Sequence, residues 1–513
     1  MSELPTIESP ATCSLSWPEQ RRNLILFAVC TGTQYLAAPV LYVGITQASL
    51  CDRLGADART SNLPGTLFFA MTAMPALFAW LSPRVSSLKR NLSLFYGTSA
   101  LMLATLAVSL ALPVSNQFKL AMVVLQGGIS GAVMPAAIAM LWEAMGRGSD
   151  ESRRGLALSM AFGAGPLLAV VGSFGQTALL GGDLFGLHFG GLAYPGNFII
   201  LFAAGVPVMG LAAIISQFFV IAPVAREQER ESVSAVIGLL IGIPLMLAAV
   251  ALMQISSVPA NVEGETLSVD LAIGTLLRAL GTLSAIGSAL AFIYHFRTVL
   301  QQRVLLYATL VTILVYAGNV IPSNMNLYSL EALGDLPEKY AGVQNMLRFS
   351  FKVVAGALLG WVLTRTNPRV GILATASIFL VAQIWAMCVT GPWYLVAFGF
   401  HGAGELVGVY APNYIVSASR GDQLRRNMAF VTMLMVPAAP VGYLYGAIVD
   451  GVKQAGWTAL GMNSTSLGFR LSFLVCGLLI LSGILLAVLL LPARPRPGNP
   501  DFQRRRESLP GDL

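Results

Sequence analysis

Tyr394–Ala418, YLVAFGFHGAGELVGVYAPNYIVSA, is the stretch whose reading decides the fold of this chain. It is apolar and long enough to cross a bilayer, for which roughly 20 residues suffice, yet it holds His401 and Glu405 near its middle. An ionisable group at the centre of a membrane helix costs about 2.5–3.5 kcal/mol for an Asp or Lys on the insertion scale. Such a residue persists where it faces a water-filled pathway or an internal partner. The spacing of His401 and Glu405 puts them on one helix face. Gly404 and Gly408 form a small-xxx-small step, which lets a second backbone approach closely. The stretch marks a place where a membrane protein handles a proton or a polar solute.

The rest of the chain supplies the membrane body. Of its 513 residues, 56% are hydrophobic and only 11% charged, whereas soluble domains carry about 25% charged residues. So little polar surface cannot coat a soluble body. The 51 glycines and 27 prolines would argue for loops in water, but both are common in membrane helices. The apolar runs are continuous, unlike the alternating segments of a membrane barrel. The chain therefore reads as an all-α polytopic membrane protein.

The net charge of +7 comes from Arg and Lys clustered in short connections, as on a cytoplasmic membrane face, and implies no nucleic-acid partner. Cys13, Cys30, Cys51, Cys388 and Cys476 are scattered with no CxxC pair, so neither a disulfide framework nor a zinc site is indicated. There is no G-x-x-x-x-G-K-[ST] phosphate loop and no Ser-His-Asp spacing, and the histidines are only His188, His295 and His401. No enzyme, metal or cofactor is expected. The first residues are polar, with prolines and acids, and do not form a cleavable signal peptide.

About fourteen spans fit, at 24–49, 62–82, 92–113, 118–143, 155–180, 196–222, 233–256, 270–295, 304–327, 342–364, 371–390, 394–418, 427–450 and 470–492. Alternate connections carry the basic residues, among them Arg21, Arg22, Arg84, Lys89, Arg90, Arg153, Arg154, Arg297, Arg365, Arg369, Arg425 and Arg426. The positive-inside rule then places both termini in the cytoplasm. Localisation in a plasma membrane, bacterial inner membrane in type, follows.

An internal repeat underlies the count. Span four reads Gly127-Gly-Ile-Ser-Gly131-Ala-Val-Met-Pro135, and span twelve reads Gly404-Glu-Leu-Val-Gly408-Val-Tyr-Ala-Pro412. Ser82-Pro83-Arg84-Val85 closes span two, and Asn367-Pro368-Arg369-Val370 follows span ten. This divides the chain into a cytoplasmic tail (1–23), a six-helix bundle (24–222), a linker with two extra spans (223–303), a second six-helix bundle (304–492) and a basic cytoplasmic tail (493–513).

With these repeats the sequence resembles the major facilitator superfamily, in a branch with two helices inserted between the six-helix halves. The resemblance covers about residues 20–492. The family's loop signature, G-x-x-x-D-R-x-G-R-[RK], survives in eroded form around Arg84, Lys89 and Arg90, and again around Arg365 and Arg369. Its acidic member is missing from both copies. The resemblance implies that these five basic residues form cytoplasmic gate loops; the positive-inside rule alone would also supply them.

Buried charge points to the site. Arg348 and Lys352 share one face of span ten, and Lys352 lies about 15 Å from the outer end at 1.5 Å per residue, the depth of Glu405 on its own span. In the family arrangement both helices border a central cavity. An arginine with a lysine beside it suits a carboxylate or phosphate, and Glu405 is the candidate proton-coupling residue. The bland alternative is a permanent structural ion pair. His401 either extends a proton relay or is a packed ring. Gln34 and Tyr35 on span one, Asn319 and Asn324 on span nine, and Asn413 complete the candidate substrate wall; Pro322 among asparagines suggests a broken helix whose polar groups face water or ligand.

The expected function is secondary active transport of a small polar or anionic solute by alternating access, coupled to protons, with sodium as the other candidate ion. The alternatives are a proton-coupled exporter of amphipathic compounds and a transport-inactive receptor or scaffold. The expected partners are a small-molecule substrate, protons and the lipid bilayer, with the chain acting as a monomer.

Overall fold

A computed structural model describes residues 15–42, 44–150, 165–184, 187–221, 232–255, 267–418, 433 and 435–495. The arginine pairs Arg153-Arg154 and Arg425-Arg426, the first 14 residues and the tail from 496 onward lie outside the described residues. The chain is an all-α polytopic membrane protein. Among the described residues nine helices are long and apolar enough to cross a membrane, or ten if one bent pair counts as a single span. Other expected spans fall on helices that are broken, or whose remaining part is not described.

The first span is broken around Pro39 and Gly44 into α1 (Trp17–Leu36), α2 (Ala38–Leu41) and α3 (Ile45–Arg53). The second is the bent pair α4 (Ala58–Met71) and α5 (Met74–Leu81). Then come α6 (Leu88–Ala111), α7 (Asn116–Gly148) and α8 (Gly165–Leu180). A short antiparallel hairpin, β1 (Gly182–Leu184) and β2 (Leu187–Phe189), leads to α9 (Gly196–Ser216). The pair α10 (Val233–Ile255) and α11 (Leu267–Leu300) packs chiefly on itself and touches α4, α5 and the following helix.

The C-terminal set repeats the early break. Here α12 (Arg303–Tyr316) passes through a 3-10 turn into α13 (Pro322–Leu327) and α14 (Ser329–Leu333). It continues as α15 (Pro337–Arg365), α16 (Pro368–Cys388), α17 (Val396–Gly404), α18 (Val407–Ala418), α19 (Ala439–Ala455) and α20 (Ser464–Leu490).

Helix starts follow ordinary capping chemistry. Asp57 accepts the N–H of Thr60 at 2.8 Å to open α4, and Asn463 accepts that of Ser466 at 2.7 Å to open α20. Each side-chain oxygen satisfies one amide that the helix itself leaves without a partner. Internal Pro64, Pro135, Pro207, Pro244 and Pro412 lie within helices, which neighbouring helices make tolerable in a membrane.

The N-terminal helices α1–α9 meet the C-terminal helices α12–α20 through α8 on α15 and α4 on α19, with α3 against α13 and α15. The ties that join them gather at the end holding the β-hairpin, here the hairpin end; the described chain ends, near residues 15 and 495, share the opposite, terminal end. There Arg22 reaches the carbonyl of Phe218, and Arg369 that of Leu491.

Candidate functional site

The site is made by one close crossing. Gly402 of α17 lies against the backbone of Arg348 on α15. A Cβ at that position would stand 2.5 Å from the Arg348 carbonyl carbon and 2.7 Å from its Cα, and would overlap its oxygen. Only glycine lets two helices come this near. Beyond it α17 ends, and the backbone tightens: the N–H of Gly408 donates to the carbonyl of Glu405 at 3.0 Å and that of Val409 to Leu406 at 2.8 Å, three residues back rather than four. A 3-10 turn inside a helix often marks a hinge, and Glu405 sits in this one.

From that turn the Glu405 carboxylate bridges two cations. Arg348 Nε donates to Oε1 at 2.7 Å, with Nη2 on the same oxygen, while Lys352 Nζ donates to Oε2 at 3.1 Å. The side chain of Glu405 is 8% exposed, that of Arg348 10% and that of Lys352 21%. His401 is fully buried on the Glu405 face, its ring 5.1 Å from that of Phe379. Its Nε2 lies 3.3 Å from Glu405 Oε1 but off the line a hydrogen bond needs, and neither ring nitrogen finds a hydrogen-bond partner among the described residues. With His401 neutral, two cations and one carboxylate leave one formal positive charge. Desolvating such a group is costly unless its charges are paired and hydrogen-bonded, and here Glu405 does the pairing.

The N-terminal helices close over this cluster. Phe349, beside Arg348, packs on Ala38 and Ala169, with Tyr35, Tyr42 and Val170 against them. Tyr35 and Tyr42 thus stand on the N-terminal side of Phe349, which follows Arg348 in the chain. The structure thus brings together Glu405, His401, Arg348 and Lys352, with Tyr35 opposite.

The other expected wall residues are used differently. Gln34 donates to the Tyr96 hydroxyl at 2.5 Å within the N-terminal set. Asn319 is buried in the 3-10 turn after α12. Asn324 accepts from Asn62 at 2.6 Å and donates to Ser472 at 3.0 Å, so it ties helices together. Asn413 is exposed on α18. Arg84, Lys89, Arg90, Arg365 and Arg369 lie at the terminal end, away from the charge cluster; the Arg365 guanidinium rests 4.2 Å from the Trp361 ring centroid.

Sequence reasoning missed the layer that covers the site on its hairpin side. Asn345, one turn above Arg348, donates to Gln176 Oε1 at 3.0 Å, and Gln176 donates to Thr46 at 3.0 Å. Asn326 accepts from Ser49 at 2.8 Å and donates to Gln344 at 2.7 Å. At the rim, Asp450 accepts the N–H groups of Ala58 at 3.2 Å and Arg59 at 2.8 Å, and Arg53 stands 3.8 Å from Glu338. A shallow recess lined by Asp57, Asp450, Lys453 and Gln454 lies beside this rim. Buried amides inside apolar runs were the available signal.

No family model matches the sequence, and no curated protein matches it in sequence. Solved structures do match in shape. An auto-inhibited POT family peptide transporter aligns with a TM-score of 0.60 at 14% identity, over 94% of this chain and 99% of that one. A D-xylose-proton symporter gives 0.59 at 12%, over 93% and 99%. A point mutant of the nucleoside transporter NupG gives 0.56 at 9%, over 91% and 99%. These neighbours are transporters rather than enzymes. The chain has the fold of the major facilitator superfamily transporters.

Proposed function

We propose that this protein is a secondary active transporter that moves a small anionic solute by alternating access and couples the movement to protons. One observation carries the reading: a carboxylate in a helix hinge bridges an arginine and a lysine, and all three are largely withdrawn from solvent. Arg348 and Lys352 are the solute's ligands and Glu405 the proton site. The ties at the hairpin end support a state closed on that side, with α1–α9 and α12–α20 as the two bodies that rock and α10–α11 as an insertion. The clustered arginines support placing the terminal end in the cytoplasm. That the neighbours in shape include a proton symporter agrees with this reading.

The experiment is uptake or efflux in proteoliposomes under an imposed pH gradient. Glu405→Gln removes the titrating group while nearly keeping its shape, so it should abolish gradient-driven accumulation and leave solute binding in place. Accumulation by this variant in response to the gradient would exclude Glu405 as the coupling site.

A further inference from the structure

The inserted helices touch both bodies at the hairpin end. Near the end of α10, Gln254 Nε2 donates to the Thr60 hydroxyl, in the first turn of α4, at 3.0 Å. One residue earlier, the Met253 carbonyl accepts from the Tyr443 hydroxyl at 3.3 Å, and Tyr443 belongs to α19. The same tyrosine meets α4 directly, with the Arg59 guanidinium 5.8 Å from its ring centroid. Glycines on either side of it let the two helices close tightly. A Cβ at Gly446 would lie 2.6 Å from Arg59 Cα and from the Ala58 carbonyl oxygen, and one at Gly442 would lie 3.1 Å from the Thr66 hydroxyl. Tyr443 is thus held by α4 and α10 together, where the bodies meet.

The inserted α10 packs on α4 and α5, so it belongs with the N-terminal body. Its bond to Tyr443 reaches across to the other one. For a hydroxyl donor 3.3 Å is long, against a usual value of about 2.7–2.8 Å, so this link yields first when the bodies part.

We infer that the inserted helix pair is a strap across the hairpin end: anchored on α4 through Gln254, it holds α19 through Tyr443 and biases that end toward its closed arrangement. This rests on the two-body reading above and gives the insertion a role within it. On opening, the Tyr443 hydroxyl exchanges the Met253 carbonyl for water. The bias is therefore slight and reversible, as a contact remade in every cycle must be.

The test measures the separation across the hairpin end by double electron–electron resonance on the full chain in lipid nanodiscs. Spin labels go on Lys119→Cys, in the first turn of α7, and Ala455→Cys, at the end of α19. Cys13→Ser and Cys388→Ser clear the background, since Cys30, Cys51 and Cys476 are buried. Tyr443→Phe keeps the ring beside Arg59 and deletes only the hydroxyl. The ratio of wide to narrow separations should rise about two- to fivefold, the lower part of what one hydrogen bond is worth. Thr60→Val cuts the Gln254 anchor, a bond lying wholly on the N-terminal side. A strap holds only while both ends are fast, so this variant should shift the ratio the same way. The double variant should then match the larger single effect rather than multiply the two. Gln254→Leu cuts the same anchor from its other side and stands in if Thr60→Val folds poorly.

The strap is overturned if Tyr443→Phe leaves the ratio unchanged, if cutting the anchor does so, or if the two effects multiply as independent contacts would. Two separations whose ratio ignores every substitution discard the strap and keep the two-body reading. A single separation in the wild type and in every variant overturns both.

Discussion

Gly402→Ala tests the crossing on which the site depends. The added methyl would stand 2.5 Å from the Arg348 carbonyl carbon and 2.7 Å from its Cα, where ordinary contact begins at 3.4 Å. Backbone atoms cannot turn aside as a flexible side chain can, so α15 and α17 must part by roughly 1 Å, an overpacking that costs about 1–3 kcal/mol. The Arg348–Glu405 hydrogen bond, 2.7 Å long, would stretch with it and weaken. Gly360→Ala is the internal control, because a Cβ at Gly360 meets nothing within 4 Å. Alanine's helix-propensity gain of about 1 kcal/mol is common to both variants and cancels in their difference. We expect thermal unfolding in nanodiscs to place Gly402→Ala well below Gly360→Ala, with gradient-driven transport impaired in the former alone. Equal unfolding temperatures for the two would refute the close approach and, with it, the account of how Arg348 reaches Glu405.

Three further outcomes are expected. Asp450→Asn removes a charged acceptor from the first amides of α4, an interaction worth up to about 2 kcal/mol at a partly buried helix start; amide exchange at 58–62 should quicken, and unchanged protection would dismiss the cross-tie. Burial pushes the Asp335 carboxyl up, but hydrogen bonds from Lys339 and the Leu336 N–H outweigh this and hold it below the ordinary range. A lowered folded-state value stabilises fully above the ordinary carboxylate value of about 3.9 and is lost as pH falls through the lower one. Asp335→Asn should therefore differ from wild type by a constant offset between roughly pH 5 and 8, and an offset that varies there would remove this pairing. Cysteines placed beside Arg90 and beside Asp335 should react with impermeant reagents from opposite sides of the membrane, and labelling of both from one side would break the proposed topology.

The membrane class and the broken helices were legible because each rests on local chemistry. Continuous apolar runs leave few alternatives in lipid, and Pro39 and Pro322 lie where the first helix of each set breaks. The i,i+4 pairs Arg348–Lys352 and His401–Glu405 are written in spacing alone. Their meeting was expected only through the family resemblance; what the residues did not show is the close crossing at Gly402 that makes it, since a sequence shows Gly402 only as one glycine among many. The glycines of the expected repeat are used differently: Gly127 and Gly131 press on Pro64 and Phe68 of α4, while Gly404, aligned with Gly127, presses on Phe379 of α16. Asn324 read as cavity lining and is spent on Asn62 and Ser472 instead. Asp450 fell at an expected span end, where a carboxylate reads as a boundary and its partner, 392 residues away at Ala58, leaves no local trace.

The layer over the site is built from amides and hydroxyls, Asn62 with Asn324, Ser49 with Asn326 and Asn345 with Gln176. Mobile ions screen charges over about 8 Å in physiological salt but act little on neutral hydrogen bonds. The charged ties at the rim, Asp450 on Arg59 and Arg53 beside Glu338, should thus weaken with salt, whereas parting the neutral layer is a matter of hydration and nearly blind to ionic strength. The cluster beneath it behaves oppositely: any formal charge it carries across the bilayer is worth about 2.3 kcal/mol per 100 mV. Under the proposed transport, membrane voltage would act on any net charge moved at the cluster and leave the neutral ties above it alone.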